Sequence, residues 1–280
     1  VAGSRGDGKR DGAETGRAVE RGRWETTVID ALREEAYYFA GQKQTKVLNE
    51  GWATYWESLM MGGEGFAGPD EFLTYADHMS RVLGSPGLNP YKLGFELWTH
   101  VELQAARRDV VDRLLRVEGV TPETFHSRVD LDAVADALEP HPAIAGAGPA
   151  TLDALADLAA ADDPRVDAEA VDRALSARDG ELETSSEAGP NIDRYPWKVL
   201  TDEGLAERHY VLARPEHRGA LRRISRWTLE ERARYMFDVD RYETVETALA
   251  DVDRAAGWRR MFAVRESHND VTFLDAFLPD

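Results

Sequence analysis

Residues 45–57 read TKVLNEGWATYWE, and the reading of this run decides the fold. Two carboxylates, Glu50 and Glu57, stand among Trp52, Tyr55 and Trp56. On a helix, Glu50, Thr54, Glu57 and Met61 fall at i, i+4, i+7 and i+11 and share a face. Trp52, Trp56 and Leu59 fall on another side, with Tyr55 between them. The aromatic side is expected to be buried. A carboxylate beside such a wall must be paired, hydrogen-bonded or metal-bound. In one reading Glu50 pairs with Lys46, four residues before it, or caps a neighbouring backbone, and the tryptophans are core. In the other, Glu50 is a metal ligand.

The second reading draws on Asn49-Glu50-Gly51-Trp52-Ala53-Thr54, which resembles the Asn-Glu-x-x-Ser run that gives gluzincin-type zinc peptidases their third ligand. Zinc hydrolases use three protein ligands and leave one position for water. The histidines are His78, His100, His126, His141, His209, His217 and His268, and none are four apart. His209 and His217 are the nearest pair, but Pro215 between them argues against one unbroken helix. Each histidine is read as a surface or cap residue. With no cysteine, thiolate zinc sites, disulfides and Cys nucleophiles are excluded. This chain therefore offers at most part of a zinc site.

Around the run, apolar periodicity predicts a mostly α fold. Trp24, Val28, Leu32 and Ala36 recur every four residues (WETTVIDALREEAYYFA), and one of Glu34 or Glu35 is expected to face inward. The second helix covers about 44–61 and stops at Gly62-Gly63. A third starts near Pro69 and carries Phe72, Ala76, Met79 and Leu83. Asn89-Pro90 reads as an N-cap and first helical residue, opening a fourth helix to about Arg108 that buries Leu93, Leu97, Trp98 and Val101.

Residues 108–194 read as an acidic, variable segment of short helices, broken by Pro and Gly over 141–149. Aromatics return in 195–280. There Thr228-x-x-Glu231 reads as a capping box, 244–256 as a helix, 261–266 (MFAVRE) as a short strand and 271–278 as a helix. Residues 1–22 carry almost nothing apolar and read as a disordered linker, as does 185–190. The organisation expected is linker (1–22), helical core (23–107), acidic segment (108–194) and a short strand-containing C-terminal part (195–280).

The 280 residues carry a net charge of −18, and of 34 basic residues only Lys9, Lys43, Lys46, Lys92 and Lys198 are lysine. Acidic, lysine-poor chains resemble halophilic proteins, in which salt screens self-repulsion. Phosphate-backbone neutralisation needs basic patches, so no nucleic-acid partner is expected. The basic run 218–226 (RGALRRISR) is read as helix surface or internal ion pairs. No segment has the ~20 apolar residues of a membrane helix, and no membrane insertion is expected. The chain opens without Met in a polar run and is read as part of a longer protein.

Three separated motifs carry a family resemblance. They are Glu34-Glu35-Ala36-Tyr37-Tyr38-Phe39 with Asn49-Glu50-Gly51-Trp52-Ala53-Thr54-Tyr55-Trp56, then Leu88-Asn89-Pro90-Tyr91-Lys92-Leu93-Gly94-Phe95-Glu96-Leu97-Trp98, then Val264-Arg265-Glu266-Ser267-His268-Asn269-Asp270-Val271-Thr272-Phe273-Leu274. Together they resemble the stage V sporulation protein R (SpoVR) family, strongly over 28–107 and more weakly over 195–278. The resemblance implies a larger cytoplasmic protein whose His-rich N-terminal half is missing here. It implies a link to sporulation or stress responses, with a serine protein kinase and a von Willebrand-like protein as partners. It also implies a suspected metal-dependent hydrolase or amidase activity, with zinc as cofactor only if the upstream half supplies a His pair. Asn49, Glu50, Gly51, Trp52 and Tyr55 match the motif, with Glu50 the ligand candidate and Glu57 a second. Many members carry His where this chain has Glu57. The rival reading is a regulatory scaffold for the kinase, with Glu50 a structural acid.

Overall fold

The computed structural model describes residues 23–63, 69–180, 192, 196–236 and 239–278. The linkers expected at 1–22 and 185–190 lie outside these. The chain divides after Gln44 into two compact units. In the first, α1 (Arg23–Lys43) is the helix expected. Its apolar stripe is not buried, however: Trp24, Val28, Leu32, Tyr37 and Tyr38 are exposed, and so are Glu34 and Glu35.

The second unit begins with α2 (Lys46–Gly63), α3 (Pro69–Leu83) and α4 (Pro90–Leu114). Asn89 starts α4 as expected. Its side-chain oxygen accepts from the Tyr91 and Lys92 amides at 3.0 and 3.2 Å, satisfying donors that have no partner inside the helix. Its side-chain amide donates to the Val82 carbonyl at 2.6 Å, tying α4 to the end of α3. The helix does not stop near Arg108. It runs unbroken to Leu114 because Ala106, Val110, Val111 and Leu114 continue its buried stripe.

Short helices follow: α5 (Phe125–Arg128), α6 (Leu131–Ala137), α7 (Pro142–Gly146), α8 (Leu152–Ala160) and α9 (Ala168–Arg178). The Pro/Gly stretch holds α7, capped by His141, whose Nδ1 accepts from the Ala143 amide at 3.2 Å. Then come α10 (Asp202–Arg208), α11 (Arg226–Ala233), α12 (Val245–Ala250), α13 (Ala256–Ser267) and α14 (Asp270–Phe277), with 3-10 turns between. Helix α11 is capped by Ser225 rather than Thr228, one turn earlier than its capping-box pattern suggests. Thr244 caps α12, which ends at Ala250, short of the expected 256.

The strand expected at 261–266 is helix, and among the described residues no strand forms; two isolated bridges, Val117 with Tyr242 and Val166 with Leu200, are the only strand-like pairings there. The six-residue window misled because its alternation is too short to separate periods. The buried positions of α13 are Gly257, Met261 and Val264, spaced four and three apart, which is helical. The helix expected at 271–278 is α14.

Three apolar clusters hold this unit. One joins α2, the first half of α4, α13 and α14 around Trp98. The next joins the second half of α4 to residues 117–138 and 210–249. The last joins α7, α8 and α9 to Val199 and Leu200. Helix α4 serves the first two, so its continuity across residue 107 couples them.

Candidate functional site

The quoted run lies on α2, and α2 crosses α4 at two glycines. A Cβ on Gly51 would stand 2.3 Å from both Cα and C of Gly94. One on Gly94 would stand 2.2 Å from the Val47 carbonyl oxygen. Both contacts are with backbone, so no side-chain rotation could relieve them. Gly51 is therefore the point of closest approach, and the buried face of α2 is Val47, Leu48, Gly51, Thr54 and Tyr55. Burial of Thr54 is met by its hydroxyl donating to the Glu50 carbonyl at 2.8 Å.

Close crossing brings the aromatic groups into one packed set. The Trp98 ring is fully buried, and its indole N–H donates to the Leu48 carbonyl at 3.0 Å. Trp52 sits edge-on to Trp98 at 5.1 Å, to Trp56 at 5.6 Å and to Phe262 at 5.2 Å, and the Arg265 guanidinium lies 4.7 Å from its ring centroid. These are favourable edge-to-face separations. The sequence expectation of a buried aromatic side is met, most completely at Tyr55.

The carboxylates lie elsewhere. Glu50 is half-buried beside Tyr91, whose phenol it pushes above its ordinary pKa. The expected Lys46–Glu50 ion pair does not form among the described contacts. Glu57 is exposed. Asn49 is exposed too, its side-chain amide donating to the Thr45 hydroxyl at 2.9 Å. Among the described residues no three His, Asp or Glu side chains gather as a metal-holding group. Histidines are spent on packing or backbone contacts: His126 meets the Ile224 carbonyl at 3.1 Å, His209 stacks on Trp258, and His268 lies 3.1 Å from the Val264 carbonyl. A zinc ion needs three protein ligands, and this set does not fit one.

Two groups that sequence reading missed do the joining. Asp270, the first residue of α14, lies 222 and 223 residues from the start of α2. Its two carboxylate oxygens accept from the Val47 and Leu48 amides, each at 2.9 Å. A carboxylate on the first-turn amides of a helix satisfies orphan donors and meets the positive end of its dipole.

Behind Tyr55 lies a buried charge. Glu102 is 2% exposed, on α4 one turn past Trp98. The Arg214 guanidinium donates to Glu102 Oε1 at 3.1 Å, to the Tyr55 hydroxyl at 3.2 Å and to the His209 carbonyl at 3.0 Å. The Trp258 indole donates to the same hydroxyl at 3.3 Å. Burial pushes the Glu102 carboxyl up, with Arg214 pulling against it. Burial also pushes the Tyr55 phenol up, reinforced by the Glu102 charge. Glu102 Oε2 and the Trp56 indole nitrogen are buried without a hydrogen-bond partner. A lone acid on the apolar stripe of α4 was the signal that could have flagged Glu102. Arg214, in a loop before Pro215, carried none.

A second buried acid, Glu207, lines a cleft of about 470 Å³ with Arg165, Arg254 and Arg259. Arg165 binds both of its oxygens at 3.0 Å, and the His141 amide donates to it at 2.9 Å. Its charge is thus internally compensated.

The Gly51–Gly94 crossing, the Asn89 cap and the Trp98 anchor all lie within residues 15–125, which match the family described as SpoVR like protein. This region is similar to the SpoVR-like family. Within it, 90 residues are 31% identical to the uncharacterized protein YcgB of Escherichia coli (strain K12), a match covering 28% of this chain and 18% of that protein. No solved structure matches. The SpoVR-like region ends before Arg214, Trp258 and Asp270, yet these three contact it directly. The resemblance noted over 264–274 lies outside the matched residues, but its Asp270 is the residue that seats α2. No helix among the described residues is long and apolar enough to cross a membrane.

Proposed function

We propose that this chain is a regulatory scaffold: a helical module of a SpoVR-like protein whose NEGWATYW helix is a packing element. The observation that supports this most is the Gly51–Gly94 crossing. It commits the motif's glycine to helix contact, its Tyr55 to the core and its Trp52 to the aromatic set, and leaves Glu50 and Glu57 outside. The partners to test are those the family resemblance suggests, a serine protein kinase and a von Willebrand-like protein, in a stress-response setting in the cytoplasm. The acidic, lysine-poor composition supports a high-salt milieu. A urea midpoint that failed to rise with added KCl would count against that setting.

The competing reading makes Glu50, with Glu57, part of a zinc hydrolase or amidase site whose His pair comes from sequence outside these residues. Half-exposure of Glu50 leaves its carboxylate reachable. Zinc analysis separates the two, using this chain and the longest natural protein that contains it, each with and without Glu50→Gln. The scaffold reading expects no stoichiometric zinc, or zinc content unchanged by the substitution. One equivalent of zinc lost on Glu50→Gln would replace it with the hydrolase reading.

A further inference from the structure

The cleft around Glu207 lies where two of the apolar clusters meet. One side is α10, whose Leu205 packs on the cluster of α7, α8 and α9. The other runs from Leu249 at the end of α12 to Arg259 on α13, and Leu249 belongs to the cluster built on the second half of α4. A volume of about 470 Å³ suits a small molecule, and junctions between packed units are where such sites form. Ala206, Leu249, Ala250 and Val252 supply apolar lining.

Six charged residues line the same cleft, three of each sign. Four of them are committed to partners. Arg165 donates to both oxygens of Glu207 and to both of Asp163. Arg259 is paired with Asp253, whose other oxygen accepts from the Ala255 amide at 3.1 Å. The remaining two, Arg254 and Glu203, are of opposite sign. Arg254 Nε stands 3.7 Å from Glu207 Oε2, too far for a hydrogen bond, and makes no other among the described residues. The guanidinium is nonetheless fixed: its Nη1 donates to the Leu138 carbonyl at 2.6 Å, and it lies 5.4 Å from the Tyr210 ring centroid. Glu203 precedes Glu207 by four residues on α10, so it shares that face one turn away, about 6 Å along the axis. Glu203 has no ion pair or hydrogen bond among the described residues. An uncommitted anion therefore stands about one helical turn beyond a fixed cation with a donor to spare.

A simple anion in this cleft would be repelled by Glu203, and a simple cation by Arg254. A ligand carrying both signs meets neither repulsion. We propose that the cleft binds a free α-amino acid with an apolar side chain, its carboxylate on Arg254, its ammonium on Glu203 and its side chain against Leu249 and Val252. The two charges of an α-amino acid are one carbon apart. With a hydrogen bond of about 2.9 Å at each end, such a ligand spans the turn between Glu203 and Arg254. Buried Glu207 fixes the site rather than the ligand, since Arg165 and the His141 amide already occupy its oxygens.

Isothermal titration of the whole chain with L-leucine, at one fixed chloride concentration, tests the site. Two probes each lack one charge: 4-methylpentanoate has no ammonium and 3-methylbutylamine no carboxylate. Saturable 1:1 binding of L-leucine is expected, with each single-charge probe about tenfold weaker or more. Glu203→Gln and Arg254→Gln should each weaken L-leucine by a similar factor, while Asp275→Asn, outside the cleft, should change it less than about twofold. Glu203 is exposed, so its variant keeps the test valid if Arg254→Gln fails to fold. Absence of saturable L-leucine binding, equal binding of either single-charge probe, or an affinity unchanged by Glu203→Gln overturns the proposal.

Discussion

Replacing Gly51 by Ala isolates the helix crossing on which the packing account rests. The added Cβ would stand 2.3 Å from two backbone atoms of Gly94, where ordinary contacts begin at 3.4 Å. Relief requires α2 and α4 to separate by roughly 1 Å. A gap of that size forfeits about a quarter to a half of each dispersion contact along the crossing. Overpacking of this kind costs about 1–3 kcal/mol, and more where backbone must move. Against it stands the helix preference of Ala over Gly, about 1 kcal/mol in favour of the variant. The expected net loss is therefore about 0–2 kcal/mol, and more where backbone must move. Gly62, on the same helix, has nothing within 4 Å of its Cβ position, so Gly62→Ala should be neutral or stabilising by up to about 1 kcal/mol. Urea unfolding followed by tryptophan fluorescence, at one salt concentration, reads both. If Gly51→Ala proves no more destabilising than Gly62→Ala, the crossing is not where the structure places it.

Asp270→Ala removes both contacts to the start of α2 and should cost about 1–2 kcal/mol by urea unfolding, with Asp270→Asn recovering about half. Loss equal to that of an exposed control such as Asp275→Ala would refute the cap. Arg214→Met leaves Glu102 charged and buried, and should cost about 3–5 kcal/mol; addition of Glu102→Leu should restore much of it, which a double-mutant cycle measures. Asp109 is pushed from 3.8 up to about 6 by burial, with Arg113 offsetting part of the effect. A carboxyl raised in the folded state binds its proton more tightly there than in the unfolded chain. Its stabilising contribution is therefore present below pH about 4 and lost as pH rises to about 6. Asp109→Asn should remove that segment of the stability–pH curve; unfolding midpoints at pH 4.5 and 6.5 for both proteins check it.

Several elements were legible because a local signal specified them. Asn89-Pro90 combines a side-chain acceptor with a residue that needs no donor, and it opens α4 as read. The aromatic wall of α2 was legible from its crowding. Its face was not, because the interior position nearest α4 is Gly51, which has no side chain and so no hydrophobic signal. Counting apolar side chains shifted the apparent core away from the crossing and placed Thr54 with the acids. The strand expected at 261–266 failed for a related reason: Gly257, the first interior residue of α13, lies outside that window and packs on Glu102 through its missing Cβ. Asp270 could not be found locally, since its partners lie 222 residues away and an acid at the start of α14 reads as a cap for α14 alone. The exposed stripe of α1 shows the converse: periodicity reports a helix and its apolar face, not what covers that face.

In the scaffold reading, residues 45–57 hold the fold through Gly51, Trp52 and Tyr55, and their carboxylates are dispensable to it. Comparing the unfolding free energies of Trp52→Ala and Glu50→Ala, each with and without a zinc chelator, tests this most directly. Trp52→Ala should lose about 3–5 kcal/mol and Glu50→Ala less than about 0.5 kcal/mol, with the chelator changing neither. A Glu50→Ala loss matching that of Trp52→Ala, abolished by the chelator, would contradict the account and make the carboxylate the purpose of the run.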